Sequence, residues 1–274
     1  MSPTSTPPQK PARQRLDQLI VERGLAETRA KAQALVLAGR VRVGEGDAAR
    51  LDRKAGELVD ATTPLALTER DLYVSRGGHK LAAALDAFGI DPAGRVCLDA
   101  GASTGGFTDV LLRRGARRVY AVDVGRGQLA ESLRRDDRVI SMERTNARTL
   151  RPGSLPEAVS LAVVDVSFIS LSLVLGPVAS TLEPGPDGLI LALVKPQFEA
   201  GRGRTDHGVV RDPEIHHEVL DRVVAAAGSL GLGARGVVAS PILGPEGNRE
   251  FLVHFQAGSS RADIGDLIRG VTAA

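Results

Sequence analysis

The chain has 274 residues, enough for one large domain or for a medium domain with a small one. Hydrophobic residues make up 43% and charged residues 25%, an ordinary globular balance, and no stretch approaches the ~20 apolar residues that span a bilayer. One cysteine, Cys97, excludes an internal disulfide and a cysteine-ligated zinc, so no metal is expected, and the polar Pro/Ser/Thr-rich start lacks the apolar core of a secretion signal, so a cytoplasmic location is expected. The net charge of +2 hides an asymmetry: residues 10–42 carry eight basic and three acidic residues, ahead of a nearly neutral body. That pattern fits a small polyanion-binding module joined to something else, with a solvated helix face as the plain alternative.

Residues 1–12 read as a disordered tail, with four prolines and no apolar periodicity. Leu16, Leu19 and Ile20 recur at helical spacing and Gly24 stops that helix. Thr28 is placed to cap a second helix carrying Ala34, Leu35 and Leu37, with Gly39 past its end. Val41 and Val43 alternate with Arg40 and Arg42, a strand pattern, and alternations from Val59 to Leu67 complete a small α+β unit over 13–70. A linker over 71–79 follows.

From residue 80 the texture becomes α/β. A helix is expected over about Lys80–Phe88. Strands are expected at Val96–Leu98 ending at Asp99, Arg118–Asp123, Val139–Ile140, Leu161–Asp165, Leu189–Val194, Gly236–Ala239 and Phe251–Phe255. Apolar strands alternating with helices predict a parallel, Rossmann-like sheet covered on both faces across 80–274. Ligands of such sheets lie beyond the carboxyl ends of the strands, where Asp99, Asp123, Asp165 and Lys195 fall.

The turn after the first of these strands reads Asp99-Ala100-Gly101-Ala102-Ser103-Thr104-Gly105-Gly106. Its glycines allow close backbone approach to a ligand. It is neither a dinucleotide fingerprint nor a P-loop, so a pyrophosphate cradle is disfavoured. Asp123 lies where a carboxylate can accept hydrogen bonds from both ribose hydroxyls of an adenosine ligand, and Val124, Asn146 and Ala147 fall on the same side. A loop closing on an amino-acid tail, with a ribose-binding acid on the next strand, is the arrangement expected for S-adenosylmethionine. Gly101–Gly105 also satisfies G-x-S-x-G, a serine-hydrolase elbow, but His216, His217 and His254 fall in a helix and a strand rather than on a catalytic loop.

Among methyl transfers, a cysteine nucleophile is excluded because Cys97 lies in a buried strand. The D/N-P-P-Y/F turn of amine methylation is absent, since the fourth strand ends Asp165-Val166-Ser167-Phe168. What remains is a set of lysines and carboxylates, Lys80, Asp165, Lys195 and Glu250. A lysine whose pKa is lowered by a second lysine or by burial can take the proton of a ribose hydroxyl.

The chain resembles the TlyA family, hemolysin-A-like proteins regarded as ribosomal RNA 2′-O-methyltransferases. The resemblance runs from about Arg13 to Phe255. It is carried by Arg15-Leu16-Asp17, Gly24-Leu25, Gly39-Arg40-Val41, Tyr73–Lys80, Leu98–Thr108, Asp165–Ser170, Val194–Glu199 and Gly244–Asn248. It implies an S4-like RNA-binding domain over 13–70 and a class I, FtsJ-like methyltransferase domain over 80–274. It also implies a Lys-Asp-Lys-Glu tetrad at Lys80, Asp165, Lys195 and Glu250, with Phe168 packed near the cofactor. The implied substrate is cytidine ribose in 16S or 23S ribosomal RNA, on ribosomal subunits rather than DNA or membrane, and the chain is expected to act as a monomer. Arg15, Arg23, Arg29, Lys31, Arg40 and Arg42 around the small helices, with Arg144 and Arg148 flanking Asn146, are the expected phosphate contacts. Few aromatics point to a folded RNA surface rather than splayed bases. Two other readings are a membrane-active hemolysin and a non-catalytic ribosome assembly factor. Residues 199–212, rich in Gly and Arg, read as a mobile flap near Lys195, with simple disorder as the alternative.

Overall fold

The computed structural model describes residues 13–37, 40–45, 49–50, 53–67, 72–201, 203–244 and 246–273. The expected tail 1–12, the stop at Gly39, Asp71 of the linker and Arg202 of the flap lie outside the described residues. The chain divides into two compact units, Met1–Leu72 and Tyr73–Ala274.

In the first unit, β1 (Arg13–Arg15) leads directly into α1 (Leu16–Glu22), and α2 (Arg29–Leu37) precedes β2 (Val41–Val43), β3 (Leu58–Asp60) and β4 (Leu65–Leu67). β1 pairs antiparallel with β3, and β2 with β4. Thr28 caps α2 as expected, its Oγ1 accepting from the Lys31 N–H at 3.2 Å. The helix, however, buries Ala32 and Val36, and Leu37 is 91% exposed. Of the apolar residues chosen from sequence, Leu35 packs half-buried against the core of Leu16, Leu19 and Ile20, whereas Ala34 and Leu37 are exposed.

The polar centre of this unit is Asp17, which is fully buried. Its carboxylate accepts two hydrogen bonds from Arg15, at 3.1 and 3.0 Å, one from Arg29 at 2.9 Å and one from Gln33 at 2.8 Å. The Arg15 hydrogen bond, aided by Gln33 and Arg29, outweighs burial and holds the Asp17 carboxyl well below the usual carboxylate range. A depressed carboxyl stabilises the fold fully above its unfolded value of about 3.9, and that contribution drains away as pH falls below it. Asp17→Ala is therefore expected to cost about 1.5–3 kcal/mol at pH 7, the range for hydrogen bonds to charged groups. Urea unfolding followed by circular dichroism checks this, and the gap to the unmodified chain should narrow at pH 3.

The second unit runs α3 (Gly77–Phe88), β5 (Val96–Ala100), α4 (Gly106–Arg113), β6 (Arg118–Val122), α5 (Glu131–Arg134), β7 (Val139–Met142), β8 (Leu161–Val164), α6 (Leu175–Ala179), β9 (Leu189–Val194), α7 (Pro196–Glu199), α8 (Pro213–Gly228), β10 (Leu232–Ala239), β11 (Phe251–Ala257) and α9 (Ile264–Ala273). α3 begins three residues earlier than its apolar pattern suggests. The sheet order is β10-β11-β9-β8-β5-β6-β7. Alternation along β9 shows how it is covered. Ile190, Ala192 and Val194 join the core formed with α6, α8 and α9, while Leu189, Leu191 and Leu193 join that formed with α3, α4 and α5.

The sheet is not purely parallel, which corrects the sequence expectation. β9, β8, β5, β6 and β7 run parallel to one another, but β11 runs antiparallel to both β9 and β10. The chain returns from β10 through residues 240–250 with no crossover helix, and a direct return of this kind gives an antiparallel neighbour. The reversal matters for the site. Phe251 pairs with Val194, so the start of β11 lies beside the carboxyl end of β9 and brings Glu250 to the edge where Lys195 stands.

Candidate active site

A cleft of about 470 Å³ opens at the carboxyl ends of the parallel strands. Lys80, Asp165, Lys195 and Glu250 all line it, together with Gly101–Thr104 of the glycine loop and Phe168. α3 delivers Lys80, which is 7% exposed, and its Nζ pairs with Glu250, which is 1% exposed. Lys195, the residue after β9, pairs with Asp165, the residue after β8, at 2.6 Å, and its Nζ also donates to Ser167 Oγ at 2.7 Å. Each lysine of the cleft thus has its own carboxylate partner.

The glycine loop takes its shape from left-handed backbone at Gly101 (φ +90°), Ser103 (φ +48°) and Gly105 (φ +97°). A Cβ on Gly101 would fall 2.3 Å from the Asp165 carbonyl oxygen, so the loop crosses directly over the strand end that carries the tetrad aspartate. Gly105 has a different reason for being glycine from the one its place in the loop suggests. A Cβ there meets Leu133 at 2.3 Å and Leu129 at 2.8 Å, the packing behind the loop rather than the ligand side.

Asp123 braces this loop through its backbone. Its Oδ2 accepts from the Ser103 N–H at 2.8 Å and its Oδ1 from the Gly125 N–H at 2.7 Å. A carboxylate offers about four lone-pair sites, so acceptor capacity for ribose hydroxyls remains. The recess at Asp123 is small, about 10 Å³. Val124 is 67% exposed and Ala147 buried, and Asn146 caps a short turn by accepting from the Arg148 N–H at 3.0 Å; none of the three lines the cleft or the recess.

Asp99 is fully buried beneath the loop. Its Oδ2 accepts from Thr108 Oγ1 at 2.7 Å, and its Oδ1 has no hydrogen-bond partner among the described residues. Burial pushes this carboxyl up to about 7, and the charges of Asp165 and Asp123 act in the same direction against the Thr108 hydrogen bond. An orphaned acid beneath a glycine cradle fits a cationic ligand.

Phe168 sits at φ +64°, is 89% exposed and packs on Phe198 with ring centroids 4.8 Å apart at the cleft. Two residues that sequence reasoning missed set this wall. Ser167 accepts from Lys195, and the buried carboxylate of Glu199 accepts from Ser170 Oγ at 2.8 Å and from the Leu171 N–H at 2.7 Å. Glu199 thus ties the segment after β8 to the helix after β9, across 28 residues of chain.

Burial pushes the Cys97 thiol up to about 12, and no histidine lines the cleft near Ser103. Among the described residues no group of acidic, histidine or cysteine side chains could hold a metal ion, and no helix is long and apolar enough to cross a membrane.

The basic residues around the small helices divide by role. Arg15 and Arg29 are held by Asp17, and Lys31 pairs with Glu27. Arg23 donates to the carbonyls of Ala61 and of Thr63, the latter at 2.7 Å, so it also fastens the fold. Arg40 is half-buried, whereas Arg42, Arg144 and Arg148 are exposed.

Glycine loop, strand-end acids and mixed seven-stranded sheet define a Rossmann-like methyltransferase. The FtsJ-like methyltransferase family matches residues 73–257 and the S4 domain family residues 14–45. YqxC of Bacillus subtilis (strain 168), provisionally named an rRNA methyltransferase, is 49% identical over 88% of this chain and 85% of its own. The 16S/23S rRNA (cytidine-2′-O)-methyltransferase TlyA of Mycobacterium tuberculosis (strain ATCC 25618 / H37Rv) is 47% identical over 91% of this chain and 92% of its own. A solved Streptococcus thermophilus structure with a provisional hemolysin name is 46% identical, covers 96% of this chain and 95% of its own, and superposes with a TM-score of 0.74. The chain belongs to the TlyA family of S4-bearing, FtsJ-like methyltransferases.

Proposed function

We propose that this chain uses S-adenosylmethionine to methylate the ribose 2′-hydroxyl of a cytidine in ribosomal RNA, in the cytoplasm and on ribosomal subunits. The observation that carries this reading is the convergence of two lysine–carboxylate pairs, Lys80–Glu250 and Lys195–Asp165, on one cleft beside the glycine loop. When bound, S-adenosylmethionine supplies an electrophilic methyl group on a positively charged sulfur. Gly101–Thr104 would approach its amino-acid tail, Asp123 its ribose, and Asp99 would balance its positive charge. Lys195 Nζ, oriented by Asp165 and Ser167, is placed to take or hold the proton of the acceptor hydroxyl. Glu250 holds Lys80 Nζ in the same cleft. Transfer of labelled methyl groups to isolated ribosomal subunits tests the reading, and no incorporation into RNA would overturn it.

Asp99 makes cofactor binding pH-dependent. A cationic ligand favours the ionised carboxyl, so below about 7 binding must first expel a proton. Affinity should therefore rise between pH 6 and pH 8, by calorimetry, and Asp99→Asn should flatten that rise.

RNA affinity should reside largely in the N-terminal unit. A chain beginning at Tyr73 is expected to keep cofactor affinity and lose most RNA affinity, because the eight basic residues of 10–42 are gone. Binding by the full chain should weaken steeply with salt through counterion release. Equal methylation of ribosomal RNA by the shortened chain would show that the RNA anchor lies elsewhere.

A further inference from the structure

Glu250 ends a turn, and that turn is braced from outside. Residues 240–250 join β10 to β11 and carry four cleft residues, Ile242, Leu243, Glu246 and Glu250, with Asn248 midway between the two glutamates. Asn248 is 1% exposed. Its carboxamide is used at both ends: Oδ1 accepts from the Val210 N–H at 2.9 Å, and Nδ2 donates to the Gly208 carbonyl at 2.9 Å. Its own carbonyl accepts from the Gly244 N–H at 2.8 Å, and the Glu250 carbonyl accepts from the Ser240 N–H at 2.8 Å.

The segment that Asn248 grips is fixed from its other side as well. His216 on α8 bonds through Nε2 to the Val210 carbonyl at 3.0 Å, and its ring stands edge-on to Phe251, the residue after Glu250, at 5.4 Å between centroids. Asp206 and Val209 close the segment by a reciprocal pair of backbone bonds, at 2.8 and 2.9 Å. Within 206–210, Gly208 and Val210 are therefore bonded directly to the Glu250 turn.

We infer that Asn248 is a positioning residue: by clamping Gly208 and Val210 it fixes the turn that aims Glu250 at Lys80. An asparagine suits this task because its side chain presents one acceptor and one donor face, as a neighbouring peptide group would. The bond to Val210 is buried and the bond to Gly208 partly so, and Asn248 itself is buried, so breaking either leaves a polar atom of its carboxamide without a partner. The inference rests on the proposed role of the Lys80–Glu250 pair.

Two full-length variants test it on ribosomal subunits with saturating S-adenosylmethionine. Asn248→Asp keeps the size and the acceptor but sets an oxygen against the Gly208 carbonyl. His216→Phe keeps a ring against Phe251 and drops the bond to Val210. The folded Asp variant should lose kcat by about 10–100-fold, the loss expected from one or two buried polar groups left unpaired, while KM for RNA and cofactor affinity stay within about threefold. His216→Phe should move kcat in the same direction by less. Wild-type kcat in both folded variants, or a loss that appears in cofactor affinity or KM instead, overturns the inference. Should the Asp variant fail to fold, His216→Phe alone decides on the same criteria. An unmodified chain that transfers nothing to RNA overturns the functional reading and this inference with it, whereas normal transfer with undiminished variants overturns the brace alone.

Discussion

Lys195→Ala and Lys80→Ala are expected to fold, bind S-adenosylmethionine and lose methyl transfer by about 10²–10⁴-fold, the usual worth of a positioned proton acceptor. Lys195 shows why. Its Nζ lies 2.6 Å from Asp165 Oδ1 and 2.7 Å from Ser167 Oγ, in a cleft it shares with the glycine loop. The hydroxyl oxygen must shed its proton as it takes the methyl group, and Lys195 can receive that proton only as the neutral amine, once its own proton has passed to Asp165 or to solvent. Arginine should not rescue the site, because guanidinium stays protonated and its fork does not reproduce a single ammonium contact. Single-turnover methylation across pH separates proton removal from positioning. Near-normal transfer by Lys195→Arg, with an unaltered pH profile, would leave Lys195 only a positioning role, with proximity doing most of the work.

Gly101→Ala should abolish measurable cofactor binding. The backbone there is left-handed at φ +90°, and the added methyl would lie 2.3 Å from the Asp165 carbonyl oxygen, a backbone atom at the end of a buried strand. Left-handed strain costs an ordinary residue about 1–3 kcal/mol, and the clash comes on top. The loop must lift, which withdraws the Ser103 N–H from Asp123 and disturbs Asp165. At least a 10²-fold fall in affinity is expected, equivalent to about 3 kcal/mol. Gly105→Ala collides instead with the ends of Leu129 and Leu133 and should show its loss chiefly in thermal stability. Calorimetry on both variants, with melting curves, checks the contrast. Unchanged cofactor affinity in Gly101→Ala would remove the loop from the cofactor site.

Much of the second unit was legible because strand ends are. An apolar run followed by a single charge, as at Asp99, Asp165 and Lys195, marks where a parallel strand ends, and Asp165 and Lys195 do meet in one cleft, with Asp99 buried beneath its glycine loop. The direction of β11 was not legible, because period-two alternation is the same in either direction. The structural reason Glu250 reaches Lys80 was therefore hidden, and the family resemblance supplied only that both belong to one tetrad. Residues acting across long separations were also hidden. Glu199, Asn248 and Asp17 look like ordinary polar residues until the fold brings Leu171, Val210 and Arg29 to them. In the small helices, apolar residues at adjacent positions blurred which side faces inward, so Leu37 was placed in the core and lies in solvent.

The most direct test is nucleoside analysis of ribosomal RNA after incubating ribosomal subunits with the pure full-length chain and S-adenosylmethionine. The proposed function predicts 2′-O-methylcytidine, formed by the unmodified chain and absent with Lys195→Ala that still binds cofactor. A methyl group found on a base, or no methylated nucleoside at all, would contradict it.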